Sequence, residues 1–86
     1  MRLDRFLSVA RIFKSRSLAA EAISSSMVFV NGIVSKPAKE IVPGAIIEIN
    51  TPRFYKKLEV ISLPAGNIGR RDAASLYRSI EERFKD

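Results

Sequence analysis

Apolar residues recur at helical spacing from the first turn of the chain. Leu3, Phe6, Leu7, Ala10 and Phe13 fall within one stripe at about 100° per residue, which predicts an amphipathic helix. Ser15 or Ser17 is a suitable N-cap for a second helix, because a hydroxyl accepts from the free N–H groups of a first turn. Leu18, Ala19, Ala22 and Ile23 form its predicted buried side, and Ser24-Ser25-Ser26 ends it, since serine competes for backbone hydrogen bonds.

The pattern then changes. Met27-Val28-Phe29-Val30 reads as a strand by its β-branched and aromatic content. Asn31-Gly32 and a second apolar run, Ile33-Val34-Ser35, follow at once. Asn-Gly between two such runs predicts a type I′ hairpin, which needs φ > 0 at both central residues. Pro37 limits the second arm to a short or edge strand. Beyond the Pro43-Gly44 turn, residues 45–50 alternate around Ile47 and Ile49, and Pro52 ends that strand. Lys57 to Leu63 is expected to pair back antiparallel, and residues 64–69 read as a loop. From Asp72, the spacing of Ala73, Leu76, Tyr77, Ile80 and Phe84 predicts a closing helix over about 72–85. The expected architecture is α+β: two N-terminal helices on a small antiparallel sheet, with a C-terminal helix. The 86 residues suit one domain with a modest core.

Charge sharpens this outline. Residues 1–39 hold seven basic and two acidic residues, a local net of +5 out of the chain's +6. Residues 40–69 balance at three against three, and residues 70–86 carry five against four. A one-sided positive field fits a phosphate backbone, because neutralised phosphates release condensed counterions. Arg2, Arg5, Arg11, Lys14 and Arg16 crowd the first sixteen positions, and Lys36 and Lys39 follow the hairpin. Arginine binds phosphate oxygens bidentately, and Arg16 stands where the second helix presents free N–H groups.

Enzymatic chemistry has little to work with. The chain has no histidine and no cysteine, which removes the commonest general base, the thiolate nucleophile and the commonest metal ligands. Glu81 and Glu82 are adjacent and diverge on a helix, the Ser24–Ser26 run lacks a histidine to activate it, and the Gly66–Gly69 segment lacks the Lys-Ser/Thr of a nucleotide loop. No cofactor and no metal are expected. Asp4 reads as a first-turn helix acid or an ion-pair partner. Phe6, Phe13, Phe29, Tyr77 and Phe84 fall at core-facing spacings. Phe54 and Tyr55, beside Arg53, Lys56 and Lys57, either stack on a base or sit in a solvated hairpin loop, and the solvated loop is the reading favoured. Charges interrupt the N-terminal apolar positions, so neither a signal peptide nor a membrane span is expected, and the cytoplasm is the expected compartment.

The ordered set Met1-Arg2-Leu3-Asp4-Arg5-Phe6-Leu7, Ser15-Arg16-Ser17-Leu18-Ala19, Val28-Phe29-Val30-Asn31-Gly32, Ser35-Lys36-Pro37 and Pro43-Gly44 resembles the S-four RNA-binding domain, over about residues 1–50. The stand-alone length and Ala73-Ala74-Ser75-Leu76-Tyr77 resemble the small bacterial members of the heat-shock-protein-fifteen and RqcP types. The resemblance implies a helix-helix-strand surface, the αL motif, that binds rRNA and tRNA on large ribosomal subunits carrying stalled peptidyl-tRNA. It implies RNA contacts from Arg2 and Arg16, with Arg5, Arg11, Lys14 and Lys36 at positions usually basic or near RNA, and Lys39 as a steering charge. A nascent-chain elongation factor of quality control is an implied protein partner, and a monomer is expected. Three positions depart from the family pattern: Ser26 replaces a usual glycine, Met27 an often basic residue, and Ala45 a favoured aspartate. Two rival readings are a module acting on tRNA or rRNA outside quality control, and a protein attracted to anionic membranes or acidic proteins through its first helix.

Overall fold

A computed structural model describes residues 1–64 and 73–85. Two helices, α1 (Leu3–Val9) and α2 (Arg16–Ser24), precede strands β1 (Val28–Val30), β2 (Ile33–Val34), β3 (Ile46–Asn50), β4 (Phe54–Val60) and β5 (Tyr77–Phe84), with a 3-10 turn at Ala74–Leu76 leading into the last. The sheet is antiparallel throughout, in the order β2-β1-β3-β4-β5. The fold class is therefore α+β, as expected.

Both helices end by the same device. The Ile12 N–H reaches the Leu7 carbonyl and the Arg11 N–H the Ser8 carbonyl, while Arg11 adopts φ 62°. At the end of α2, Met27 N–H reaches Ala22 and Ser26 N–H reaches Ile23, with Ser26 at φ 63°. These paired bonds are Schellman closures, which place a left-handed residue just past the helix. The serine run thus terminates α2 as predicted, with Ser26 in the conformation that glycine favours. The closure at Arg11 stops α1 sooner than the apolar stripe suggested and leaves Phe13 outside the helix. Ser15 is the N-cap of α2, its Oγ accepting from the Leu18 N–H at 3.1 Å.

The Asn-Gly hairpin forms as read. Asn31 and Gly32 take φ 52° and 83°, Val30 pairs with Ile33, and β2 is an edge strand. Asn31 is held further by its Oδ1, which accepts from the Ile46 N–H at 2.9 Å. Alternation sends Val28, Val30, Ile47, Ile49, Leu58 and Val60 to one face, where they bury against Leu3, Phe6, Leu7, Ala19 and Ile23 of the helices. Truncating any large member of such a core to alanine costs about 2–5 kcal/mol.

The C-terminal third corrects several expectations. No closing helix spans 72–85: residues Tyr77–Phe84 form β5, paired along β4 with a bulge opposite Lys57/Leu58. Pairing satisfies the backbone groups and matches charges across the strands, including Lys56 with Glu82 at 2.7 Å and Arg78 with Glu59 at 2.8 Å. Burial did not favour the helical stripe either, because Ile80 and Phe84 remain exposed, Phe84 at 82%. Phe84 is therefore not a core residue. The strand expected at Lys57–Leu63 begins earlier and ends at Val60, so Phe54 and Tyr55 lie in β4 and not in a solvated loop. Glu81 and Glu82 point to opposite sheet faces instead of diverging on a helix. The loop predicted at 64–69 lies outside the described residues from Ala65 onward, as does the predicted helix start at Asp72.

No helix covers the other sheet face among the described residues. Glu48, Lys57, Glu59, Arg78, Glu81 and Arg83 alternate in sign across it, and the Arg83 guanidinium lies over the Tyr55 ring at 4.7 Å. The Tyr55 hydroxyl donates to Glu48 at 2.8 Å, and that bond, with burial and the carboxylate's charge, pushes the phenol above its ordinary value.

Candidate nucleic-acid interface

Two arginines of the first half, Arg2 and Arg16, converge on a buried carboxylate. Asp4, in the first turn of α1, has a side chain only 5% exposed. Arg2 donates to it twice, from Nε at 3.3 Å to Oδ1 and from Nη2 at 3.1 Å to Oδ2. Arg16, at the start of α2, brings its Nε within 3.3 Å of Oδ2, and the Arg5 N–H donates to Oδ1 at 2.7 Å. Burial raises the pKa of this carboxyl. The bonds from Arg16, the Arg5 N–H and Arg2 outweigh it and hold Asp4 below the usual carboxylate range. A carboxylate held ionised at neutral pH thus ties two guanidinium groups whose side chains remain about half exposed, at 47% and 49%. Each guanidinium carries five N–H donors. Asp4 engages only some of them.

The residues after the hairpin join this surface through the backbone. The Leu3 N–H bonds to the Lys39 carbonyl at 2.8 Å and the Asp4 N–H to the Pro37 carbonyl at 3.2 Å. Lys39 N–H closes the intervening turn onto Lys36 at 3.0 Å. Lys36 and Lys39, both exposed, are therefore anchored beside the start of α1, with Arg2, Arg5 and Arg16. Arg11 and Lys14 are exposed but placed elsewhere. Arg11, past the far end of α1, lines a hollow with Lys56, Tyr77 and Glu82. Lys14 edges a groove between α2 and the Thr51–Phe54 turn.

Sequence reasoning located the cations and missed the part that unites them. Asp4 was legible as an ion-pair partner from its place two residues after Arg2. That Arg16 shares it follows only from how α2 packs against α1. Arg53, Leu18 and Met27, which line the groove beside Lys14, were also missed as a group. Leu18, expected in the core, is instead 47% exposed there. Chemically, the Asp4-centred surface offers cations in fixed orientation. Among the described residues no group of metal-ligating side chains is present.

The family model described as the S4 domain matches residues 1–47, the span that holds Arg2, Asp4, Arg16 and the hairpin. A Streptococcus pneumoniae protein named RQC P-site tRNA stabilizing factor is 34% identical over 84 residues, covering 95% of this chain and 92% of its own length. A Haemophilus influenzae heat shock protein 15 homolog is 32% identical over 85 residues, but the chain spans only 65% of that longer protein. A solved structure of Vibrio cholerae heat shock protein 15, described as trimeric, superposes with a TM-score of 0.83 at 33% identity, covering 92% of this chain and 80% of that one.

Proposed function

Because the chain belongs to the S4 domain family, we propose that it is a non-enzymatic RNA-binding protein of ribosome-associated quality control. It binds rRNA and tRNA on large ribosomal subunits that carry stalled peptidyl-tRNA. The observation that carries this reading is the convergence of Arg2 and Arg16 on buried Asp4. Two guanidinium planes held by one anion lose little conformational freedom when they meet phosphate, so the binding is preorganised. Recognition is mostly of backbone and shape, because A-form grooves hide base edges.

Coverage of 95% of this chain and 92% of the relative supports the tRNA-stabilizing relatives as the better guide, since the heat shock protein 15 homolog extends well beyond this chain. The absence of histidine and cysteine from the sequence supports a binding role over catalysis. On this reading residues 1–86 act as one RNA-binding unit, as a monomer, in the cytoplasm. Arg2 and Arg16 are the anchors, Arg5, Lys36 and Lys39 complete the surface around them, and Arg11 and Lys14 steer from its margins. No helix among the described residues is long and apolar enough to cross a membrane.

The test is Arg16→Ala, checked for unchanged folding by circular dichroism, in sucrose-gradient co-sedimentation with large subunits. The variant is expected to lose the large-subunit peak. Undiminished co-sedimentation would overturn the assignment.

A further inference from the structure

Beside Arg16, α2 turns a second face to an open groove of about 600 Å³, within the size range of small-ligand sites. Its floor is apolar and polarizable: Phe13, Phe54 and Met27, with Leu18 standing half exposed at one wall. The Phe13 and Phe54 rings meet at 6.2 Å between centroids and 51° between planes, so they are tilted and not stacked on each other. The charged residues lining the groove are Lys14, just before α2, Arg53, in the turn between β3 and β4, and Glu21 of α2. None of these three charged side chains has an ion-pair partner among the described residues.

We propose that this groove receives one unstacked, amino-bearing nucleobase of an RNA strand in preference to uracil. Phe13, Phe54, Met27 and Leu18 supply the stacking floor, and Lys14 and Arg53 hold the flanking phosphates. Base–aromatic stacking combined with backbone-tracking cations is how single strands are held without a duplex. Glu21 supplies the selection. A carboxylate accepts from the exocyclic amino group of cytosine, adenine or guanine, whereas uracil has none and presents a carbonyl where cytosine has its amino group.

RNA is favoured over an apolar protein segment by charge and by position. The lining carries two cations against one acid, and Lys14 lies two residues from Arg16 along the chain, just before the helix that also borders the Asp4 surface. Met27 fits the same picture. Where the family pattern often has a basic residue, this chain places a thioether in the groove floor.

The inference rests on the proposed RNA-binding role but not on the ribosome, and its test is chosen accordingly. The purified full chain is titrated with fluorescent oligo(C) and oligo(U) in an anisotropy assay at fixed salt, and 5-iodocytidine, which keeps the amino group, is placed within oligo(C), crosslinked and mapped by mass spectrometry. Oligo(C) is expected to bind about five- to tenfold tighter than oligo(U), the lower part of the range for one good base-edge contact. Glu21→Ala should erase that preference, and Leu18→Asp, a surface change that spares the core, should weaken oligo(C) binding about tenfold. Crosslinks should fall on the peptides containing Phe13, Met27 and Phe54. Equal binding of the two oligomers, indifference to Leu18→Asp, or crosslinks confined to the Arg2–Arg16 surface would each overturn the proposal. Failure of Arg16→Ala to disturb large-subunit binding leaves these outcomes untouched, so the two readings fail separately.

Discussion

Arg16 Nε lies 3.3 Å from Asp4 Oδ2, the same oxygen that accepts from Arg2 Nη2 at 3.1 Å. One buried carboxylate therefore sets the spacing of two arginines that lie fourteen positions apart in the chain. The contact has two consequences. It ties the start of α2 to the first turn of α1, and it removes rotamer freedom from both guanidinium groups before any ligand arrives.

Asp4→Asn separates those consequences from simple loss of bulk. Asparagine keeps the size but not the charge, and leaves two guanidinium groups facing each other over a neutral amide. Stability in urea is expected to fall by about 1–3 kcal/mol, the range for charge-assisted hydrogen bonds. Large-subunit binding should weaken even at temperatures where the variant is fully folded. Equilibrium unfolding and salt-dependent co-sedimentation measure the two effects.

Acid should release the same latch. The folded-state pKa of Asp4 lies below its ordinary value of 3.8. Its contribution is thus fully present above about pH 4 and is lost as the pH falls through the folded pKa, because the unfolded chain takes up the proton first. Urea midpoints measured at successive pH values should fall more steeply below about pH 4 in the natural chain than in Asp4→Asn.

The two helix closures invite glycine. Ser26 at φ 63° and Arg11 at φ 62° each occupy a conformation that disfavours L side chains. Ser26→Gly and Arg11→Gly should each stabilise by about 1 kcal/mol, raising Tm by about 4–8 °C in a domain of this size. Arg11→Gly should also slow association with RNA at low salt, since a steering cation is lost. Calorimetry and stopped-flow association would register opposite signs for that variant.

Lys56 is a buried cation on the core face of β4. Its Nζ lies 2.7 Å from Glu82 and 5.2 Å from the centre of the Tyr77 ring. Such pairs often yield to apolar residues of similar shape at no loss, whereas breaking one partner leaves the other stranded. Lys56→Met is expected to be neutral or to stabilise by about 1 kcal/mol, and Glu82→Ala to destabilise by about 1–2 kcal/mol. Thermal unfolding of the two variants decides the order.

Local signals explain what was readable in the sequence. Ser15 caps α2 through its own hydroxyl, and Asn31-Gly32 dictates its turn through backbone sterics, so both were legible within a few residues. The cations of the candidate surface were legible as well, because charge is written residue by residue. Asp4's shared role was not, since it depends on two helices meeting. The C-terminal segment misled for a related reason. Ala73, Leu76, Tyr77, Ile80 and Phe84 do repeat at helical spacing, but Tyr77, Arg78, Glu82 and Arg83 find partners across β4 that no isolated helix provides. Phe54 and Tyr55 were drawn into the sheet by that same pairing.

The outer sheet face, where Glu48, Glu59 and Glu81 offset Lys57, Arg78 and Arg83, gives the molecule a front and a back. A body that is positive on one side and balanced on the other experiences a torque in the field of an anionic surface. It arrives already turned, with the Asp4-centred arginines leading, and fewer collisions are wasted on wrong orientations. The neutral back has a further effect once the protein is seated. Among the described residues the balanced back offers a weaker electrostatic grip than the Asp4 side, so the orientation taken on arrival is kept while rRNA and tRNA are engaged from the front.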